Sequence, residues 1–148
     1  MQKIFPILRY NDARAAIRWL CEAFGFVEVF CTPEHGPYVR HARLRLGGNL
    51  IMLGSVRPDD AIVSPQKLGT ATQMLAVCVE DPDAHYERAR AARANILYPP
   101  KDTDFGSREY HVADPEGHLW TFGTFRPDDE EFEARVEDRR TDLKKKKG

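Results

Sequence analysis

The chain has 148 residues, 22 basic against 23 acidic, with 42% hydrophobic and 30% charged side chains. That length fits one domain burying roughly 68–70% of its unfolded surface, so the core needs no metal or disulfide staple. A net charge of −1 gives no reason to expect nucleic acid or an anionic membrane as partner. No apolar run approaches the ~20 residues of a membrane span, and Met1 to Pro6 lacks a signal-peptide apolar region, so the expected location is cytoplasmic. Cys21, Cys31 and Cys78 stand far apart without a Cys-x-x-Cys, which argues against a disulfide framework or a thiolate zinc site.

Residues 3–9 read as a short strand, followed by Asn11-Asp12 as a helix cap. Ala16, Trp19, Leu20, Ala23 and Phe24 recur at helical spacing opposite Arg14, Arg18 and Glu22, an amphipathic helix that ends at Gly25. Phe26 to Cys31 is a second strand, and Pro33 to Pro37 a turn. Tyr38 to Leu46 alternates Ala42, Leu44 and Leu46 with His41, Arg43 and Arg45. Gly47-Gly48-Asn49 turns into a strand over Leu50 to Leu53. Gly54 to Gly69, with little periodicity, is a long connection and a candidate lid. The pattern then restarts: a strand over Leu75 to Val79, an Asp81-Pro82 cap, a helix over Ala84 to Ala94, and a strand at Ile96 to Tyr98. After a loop over Pro99 to Ser107 come strands at Arg108 to Ala113 and His118 to Thr124, joined by the turn Asp114-Pro115-Glu116-Gly117.

The halves superpose at an offset of 69 residues, which lays Asp12 over Asp81, Gly48 over Gly117, and Gly48 to Leu53 over Gly117 to Phe122. The chain therefore reads as a tandem βαβββ repeat, module one over about 3–54 and module two over about 72–125, within a domain of residues 1–126.

On that repeat the sequence resembles the vicinal oxygen chelate superfamily, which includes glyoxalase I, bleomycin-resistance proteins, fosfomycin-resistance enzymes and extradiol dioxygenases. The resemblance rests on Pro6 to Asp12 leading into Ala15-Ala16, on Ala23 to Phe26, His41 to Leu44, Ile51 to Gly54 and Val79 to Ala84, and on Arg108 with Asp114 to Trp120. It implies an α+β fold in which tandem βαβββ modules form a curled mixed sheet around a cavity, commonly as a homodimer. It further implies a metal held from the first and last strand of each module. Carried onto this chain, those places are Phe5, Met52, Met74 and Thr121, and one-residue slips offer only Ile4, Pro6, Ile51, Leu53, Gln73 and Leu75. A catalytic divalent ion needs about three nitrogen, oxygen or thiolate donors. A phenyl ring, two thioethers and one hydroxyl do not supply them, so the expectation is no cofactor.

Strand alternation places Ile7, Arg9, Leu50, Ala76, Cys78 and Leu119 on the same inward face as those four, joined by His41, Arg43, Tyr110 and Arg108. Leu8, Ile51, Leu53, Leu75, Val77, Val79, Trp120 and Phe122 are left to pack under the helices. A mainly apolar lining with an Arg or His suits a small organic ligand carrying one anionic or hydrogen-bonding group. Plainer roles stand beside these: Met and Phe filling a collapsed core, Arg108 clamping a nearby acid, Cys78 as a buried small hydrophobe.

Two functions follow, beside a third, structural reading as an accessory subunit whose cavity is filled and whose tail recruits a partner. The first is metal-free sequestration of a drug or metabolite in the cavity or at a dimer groove. The second is a glyoxalase-like isomerase, lyase or transferase using His41 or Tyr110 as acid/base, or a metal held elsewhere. Over residues 127–148, 15 of the 22 residues are charged and Phe132, Val136 and Leu143 make one thin helical stripe. Such a helix is marginal alone, and the tail reads as solvated or disordered, or as an arm docking on a partner subunit.

Overall fold

The computed structural model describes residues 1–148, apart from the side chains of Phe132, Glu133, Val136 and Arg139. Module one contains β1 (Ile7–Tyr10), α1 (Ala13–Phe24), β2 (Val27–Thr32), β3 (His41–Leu46) and β4 (Asn49–Ser55). A one-turn helix α2 (Pro65–Leu68) lies in the connection. Module two repeats the order as β5 (Met74–Cys78), α3 (Pro82–Ala91), β6 (Asn95–Asp102), β7 (Arg108–Ala113) and β8 (Leu119–Gly123), and α4 (Glu130–Lys147) closes the chain. The sheets run β1-β4-β3-β2 and β5-β8-β7-β6, each with its first and last strands parallel.

The helices of the two modules, α1 and α3, start the same way. The Asp12 carboxylate accepts the Ala15 N–H, and the Asp81 carboxylate accepts the Ala84 N–H, each at 3.0 Å. Gly25 ends α1 in the left-handed region at φ 82°. A side chain there would also meet the Arg88 guanidinium at 3.0 Å. That guanidinium donates to the carbonyls of Glu22 and Cys21, satisfying the last turn of α1 from α3. In return Trp19 Nε1 donates to the Ala92 carbonyl at the end of α3.

The core lies between the helix-bearing faces of the two sheets, where Leu8, Leu44 and Leu53 meet Phe24, Trp120 and Phe122 in one cluster. Leu8, Ile51, Leu53, Trp120 and Phe122 are buried as alternation predicts, with Leu75, Val77 and Val79 packed against them. The Asp114 to Gly117 turn ties the modules together. Tyr10 OH donates to Asp114 Oδ2 at 2.6 Å, and Trp120 Nε1 and the N–H groups of Glu116 and His118 also donate to this carboxylate. Burial raises the Asp114 carboxyl against those donors, which favour its charged form. Glu116 accepts the N–H groups of Asn11 and Asp12 and the Ser64 hydroxyl, so one carboxylate joins module two to the start of α1 and to the connection.

The strand at residues 3–9 is shorter than predicted: β1 starts at Ile7, and the Gln2 side chain takes over the pairing by bonding both the N–H and the carbonyl of Leu50. The tail is an exposed helix, where the sequence predicts a marginal one. Of its predicted stripe, Phe132 and Val136 lie outside the described side chains and Leu143 is 49% exposed.

Candidate functional site

Opposite the helices, each sheet presents an open face. In module one a row crosses the strands as Ile7, Met52, Arg43 and Phe30, with the Arg43 guanidinium 4.6 Å from the centre of the Phe30 ring. In module two the matching row is Ala76, Thr121, His111 and Tyr98. Phe5, Ile7 and Met74 are 39%, 45% and 43% exposed, and Cys78 is exposed as well. Between the sheets a groove of about 440 Å³ is lined by Pro6, Leu50, Leu75, Ala76 and Cys78 among others. Residues of both modules thus share one apolar depression.

The predicted site residues divide into three groups. Phe5, Ile7, Met52, Met74, Cys78 and Thr121 occupy the open faces or their groove, and Cys78 is not the buried small hydrophobe of the plainer reading. Arg9 and Arg43, with His41 between their strands' ends, form a basic side of module one. Arg9 is engaged with Asp60 at 3.0 Å, holding the long connection beside that face and keeping the Asp60 carboxyl below its usual range. Desolvation, then the charges of Arg43, Arg57, Arg9 and Arg40, hold the His41 imidazole below the ordinary histidine range. No carboxylate is within hydrogen-bond reach of His41 among the described residues, so it lacks the partner that would make it an effective acid/base.

Arg108 and Tyr110 lie elsewhere. Tyr110 is fully buried under α3 and its OH lies 2.6 Å from His85 Nδ1, while His85 Nε2 donates to the Phe24 carbonyl at 2.9 Å. Burial pushes the Tyr110 hydroxyl up and the His85 imidazole down, so the pair is neutral and serves the core. Arg108 clamps Asp83 at the start of α3, with Asp102 as a second partner. The cause is register. The first and last strands of the modules repeat at an offset of 69, but Arg43 and His111, both paired to the last strand, stand 68 apart. The tight turn at Gly47-Gly48 is replaced by the longer turn from Asp114 to His118, and this moves β7 by one residue, which reverses its faces.

The side chains that β7 does present are Glu109 and His111, which the sequence reading passed over. His111 Nε2 is hydrogen-bonded to Tyr98 OH and lies 3.3 Å from Glu109 Oε1, and Tyr98 OH is 3.5 Å from the same oxygen. Burial and the charge of Glu109 raise the Tyr98 hydroxyl. The pattern itself held the signal, because Tyr110 and Val112 are the apolar partners on β7 and Glu109 and His111 the polar ones.

Phe5, Met52, Met74 and Thr121 offer one oxygen donor between them, so the residues at the family's four metal positions do not fit a bound ion. Among the described residues no three His, Cys, Asp or Glu side chains converge, and no helix is long and apolar enough to cross a membrane.

Two βαβββ modules with open sheet faces define a glyoxalase-type fold, and the model of the Glyoxalase/Bleomycin resistance protein/Dioxygenase superfamily matches residues 4–122; the chain belongs to that superfamily. An uncharacterized protein of Mycobacterium tuberculosis is 34% identical over 121 residues, covering 80% of this chain and 71% of the relative. TioX from Micromonospora sp. ML1 is 34% identical with a TM-score of 0.68, covering 82% of this chain and 94% of that one. A mutant of the fosfomycin resistance protein FosX from Listeria monocytogenes, crystallised with Mn(II) and 1S,2S-dihydroxypropylphosphonic acid, has a TM-score of 0.66. At 16% identity, covering 91% and 97% of the two chains, it shares the fold alone.

Proposed function

We propose that this protein binds a small, partly apolar organic molecule on its open sheet faces, with a second copy of the chain closing the site. The observation that carries the reading is the exposure of Phe5, Ile7 and Met74, with Arg43 over Phe30 in the same row as Ile7, on sheet faces that the chain's own helices leave uncovered. Exposed apolar side chains clustered beside fixed polar groups mark a binding surface. The bleomycin-resistance side of the superfamily is the nearer analogy, because the family's metal positions here hold apolar groups and one hydroxyl, and because His41 and Tyr110 are poor acid/base candidates. The protein acts by sequestration, in the cytoplasm.

Binding to the native state raises the melting temperature in proportion to ligand excess over Kd. Planar aromatic compounds with one anionic or hydrogen-bonding group are therefore expected to shift the melt, and Arg43→Ala to reduce the shift. Light scattering is expected to give twice the chain mass. A flat response across a broad panel at millimolar concentration, with a monomeric mass, overturns the reading.

A further inference from the structure

Gly54 on β4 follows Met52 by two residues and so presents to the same open face, one step beyond the row of Ile7, Met52, Arg43 and Phe30. It is the register partner of Arg9. A Cβ at Gly54 would lie 3.2 Å from Arg9 Nη1 and 2.9 Å from the Arg40 carbonyl oxygen, so a residue without a side chain is what lets the Arg9 guanidinium lie across β4. The Arg40 carbonyl in turn accepts from Arg57 Nη2 at 2.5 Å, which brings a second guanidinium to the same floor from the long connection. His41 and Arg43 make the β3 side of this recess. Both stand against the Phe30 ring, the imidazole centre 5.9 Å from its centre and the guanidinium carbon 4.6 Å.

The charges of Arg43, Arg57, Arg9 and Arg40 all bear on the His41 imidazole. Among the described residues these four arginines make one ion pair, Arg9 with Asp60 at 3.0 Å. Arg57 Nε is buried with no hydrogen-bond partner. Like charges gathered at partly buried positions repel, and a buried N–H without an acceptor is costly. An anion with several oxygens relieves both. We propose that the recess of Arg9, Arg57, His41 and Arg43 over Gly54 binds the phosphoryl group of a phosphate monoester whose organic part lies on the apolar row of Ile7 and Met52. The guanidinium fork matches oxyanion geometry, and donors arriving from β1, β3 and the long connection can share three terminal oxygens. Four arginine charges set against the Asp60 carboxylate leave an excess of three; a dianion answers two of them, a monocarboxylate one. Asp60 already occupies Arg9 Nε, so the ligand and the connection compete for that donor. The inference names the polar end of the ligand proposed above, and it rests on the sequestration reading for the organic part alone.

The test is calorimetric titration of the full chain in phosphate-free buffer of low ionic strength at pH about 7.5, where a phosphate monoester is a dianion. The probes are phenyl phosphate, benzenesulfonate as a monoanion of similar shape, and inorganic phosphate as the head group alone. One phenyl phosphate per chain is expected, bound at least about 10-fold more tightly than benzenesulfonate and displaced by inorganic phosphate. Arg9→Gln and Arg57→Gln are each expected to weaken it by at least about 10-fold, while Arg18→Gln, exposed on α1, leaves it unchanged. Asp60→Asn is expected to tighten it several-fold by removing the competing carboxylate, which loss of a merely structural ion pair would not do. Thermal melts establish that each variant folds; where an arginine variant does not, the phenyl phosphate to benzenesulfonate ratio on the unaltered chain decides. No heat from phenyl phosphate at millimolar concentration, equal affinity for benzenesulfonate, or binding that survives loss of both Arg9 and Arg57 overturns the proposal. Inorganic phosphate that binds through both arginines, with phenyl phosphate no tighter, upholds the phosphoryl recess and overturns the sequestration reading instead.

Discussion

Replacing Glu116 by Gln tests whether the Asp114 to Gly117 turn is the joint between the modules. One oxygen, Oε1, accepts the Asn11 N–H at 2.6 Å and the Ser64 hydroxyl at 2.6 Å; the other, Oε2, accepts the Asp12 N–H at 2.9 Å. An amide of the same shape keeps two of these bonds at best, and in that orientation its NH₂ is aimed at the Asp12 N–H. The substitution removes one bond to a charged acceptor, leaves a poorly hydrated N–H facing another donor, and reduces the remaining two to neutral strength. Net contributions of about 1.5–3 kcal/mol for a charge-assisted bond and about 0.5–1.5 for a neutral one give an expected loss of about 2–4 kcal/mol. For a chain of this size that lowers Tm by roughly 5–15 °C. Urea unfolding should show a lower midpoint with the slope unchanged, since the surface exposed on unfolding is the same. Ser64→Ala removes one donor from the same carboxylate, so the double variant should show a coupling of about 1 kcal/mol. A loss below about 0.5 kcal/mol, the range of ordinary surface changes, would refute the joint.

Three further outcomes are expected. His85 is half-buried and neutral between Tyr110 OH and the Phe24 carbonyl, with Arg88 nearby, and its pKa lies below the unfolded value. Its contribution is therefore complete above about pH 6.5 and is lost as pH falls below that; denaturation profiles of wild type and His85→Gln should diverge above pH 6.5 and converge below it, and parallel profiles would contradict this. Gly123→Ala puts a Cβ 2.6 Å from Glu109 Cβ and 3.0 Å from the Arg108 carbonyl, so it should cost about 1–3 kcal/mol of overpacking in chemical denaturation, and a neutral result would count against the close approach of β7 and β8. Deleting residues 129–148 should change stability by no more than about 0.5 kcal/mol, because the described side chains of α4 are exposed almost throughout; a fall in mass by light scattering would instead show that the tail docks on a partner subunit.

The fold was legible because two periodicities and one repeat agree. Leu8, Leu53, Trp120 and Phe122 were assignable to the core from alternation alone, and the capping aspartates Asp12 and Asp81 sit at the same place in both modules. What misled was the assumption of one offset throughout. A strand face is a parity, and a single residue added in the turn before β8 inverts it for β7 while β5 and β8 keep theirs. Arg108 and Tyr110 were thereby placed on the open face that Glu109 and His111 occupy. The roles of Glu116 and His85 were not readable at all, since each carboxylate or ring bond crosses more than 20 residues of chain.

The two open faces have diverged in charge as well as in shape. Module one carries Arg9, His41, Arg43 and Arg45 on the side of its apolar row, and module two carries Glu109 and His111 on the side of its own, with Lys101 beside them over Tyr98. In a two-fold dimer each face meets a fixed counterpart, and like-for-like pairing would set guanidinium groups against one another. Pairing module one of one copy with module two of the other instead brings Arg43 toward the carboxylate side and creates two equal sites. On the proposed function, Phe5, Met52 and Met74 would meet an organic molecule by apolar contact, and the charges at the rim would decide which wall each copy supplies.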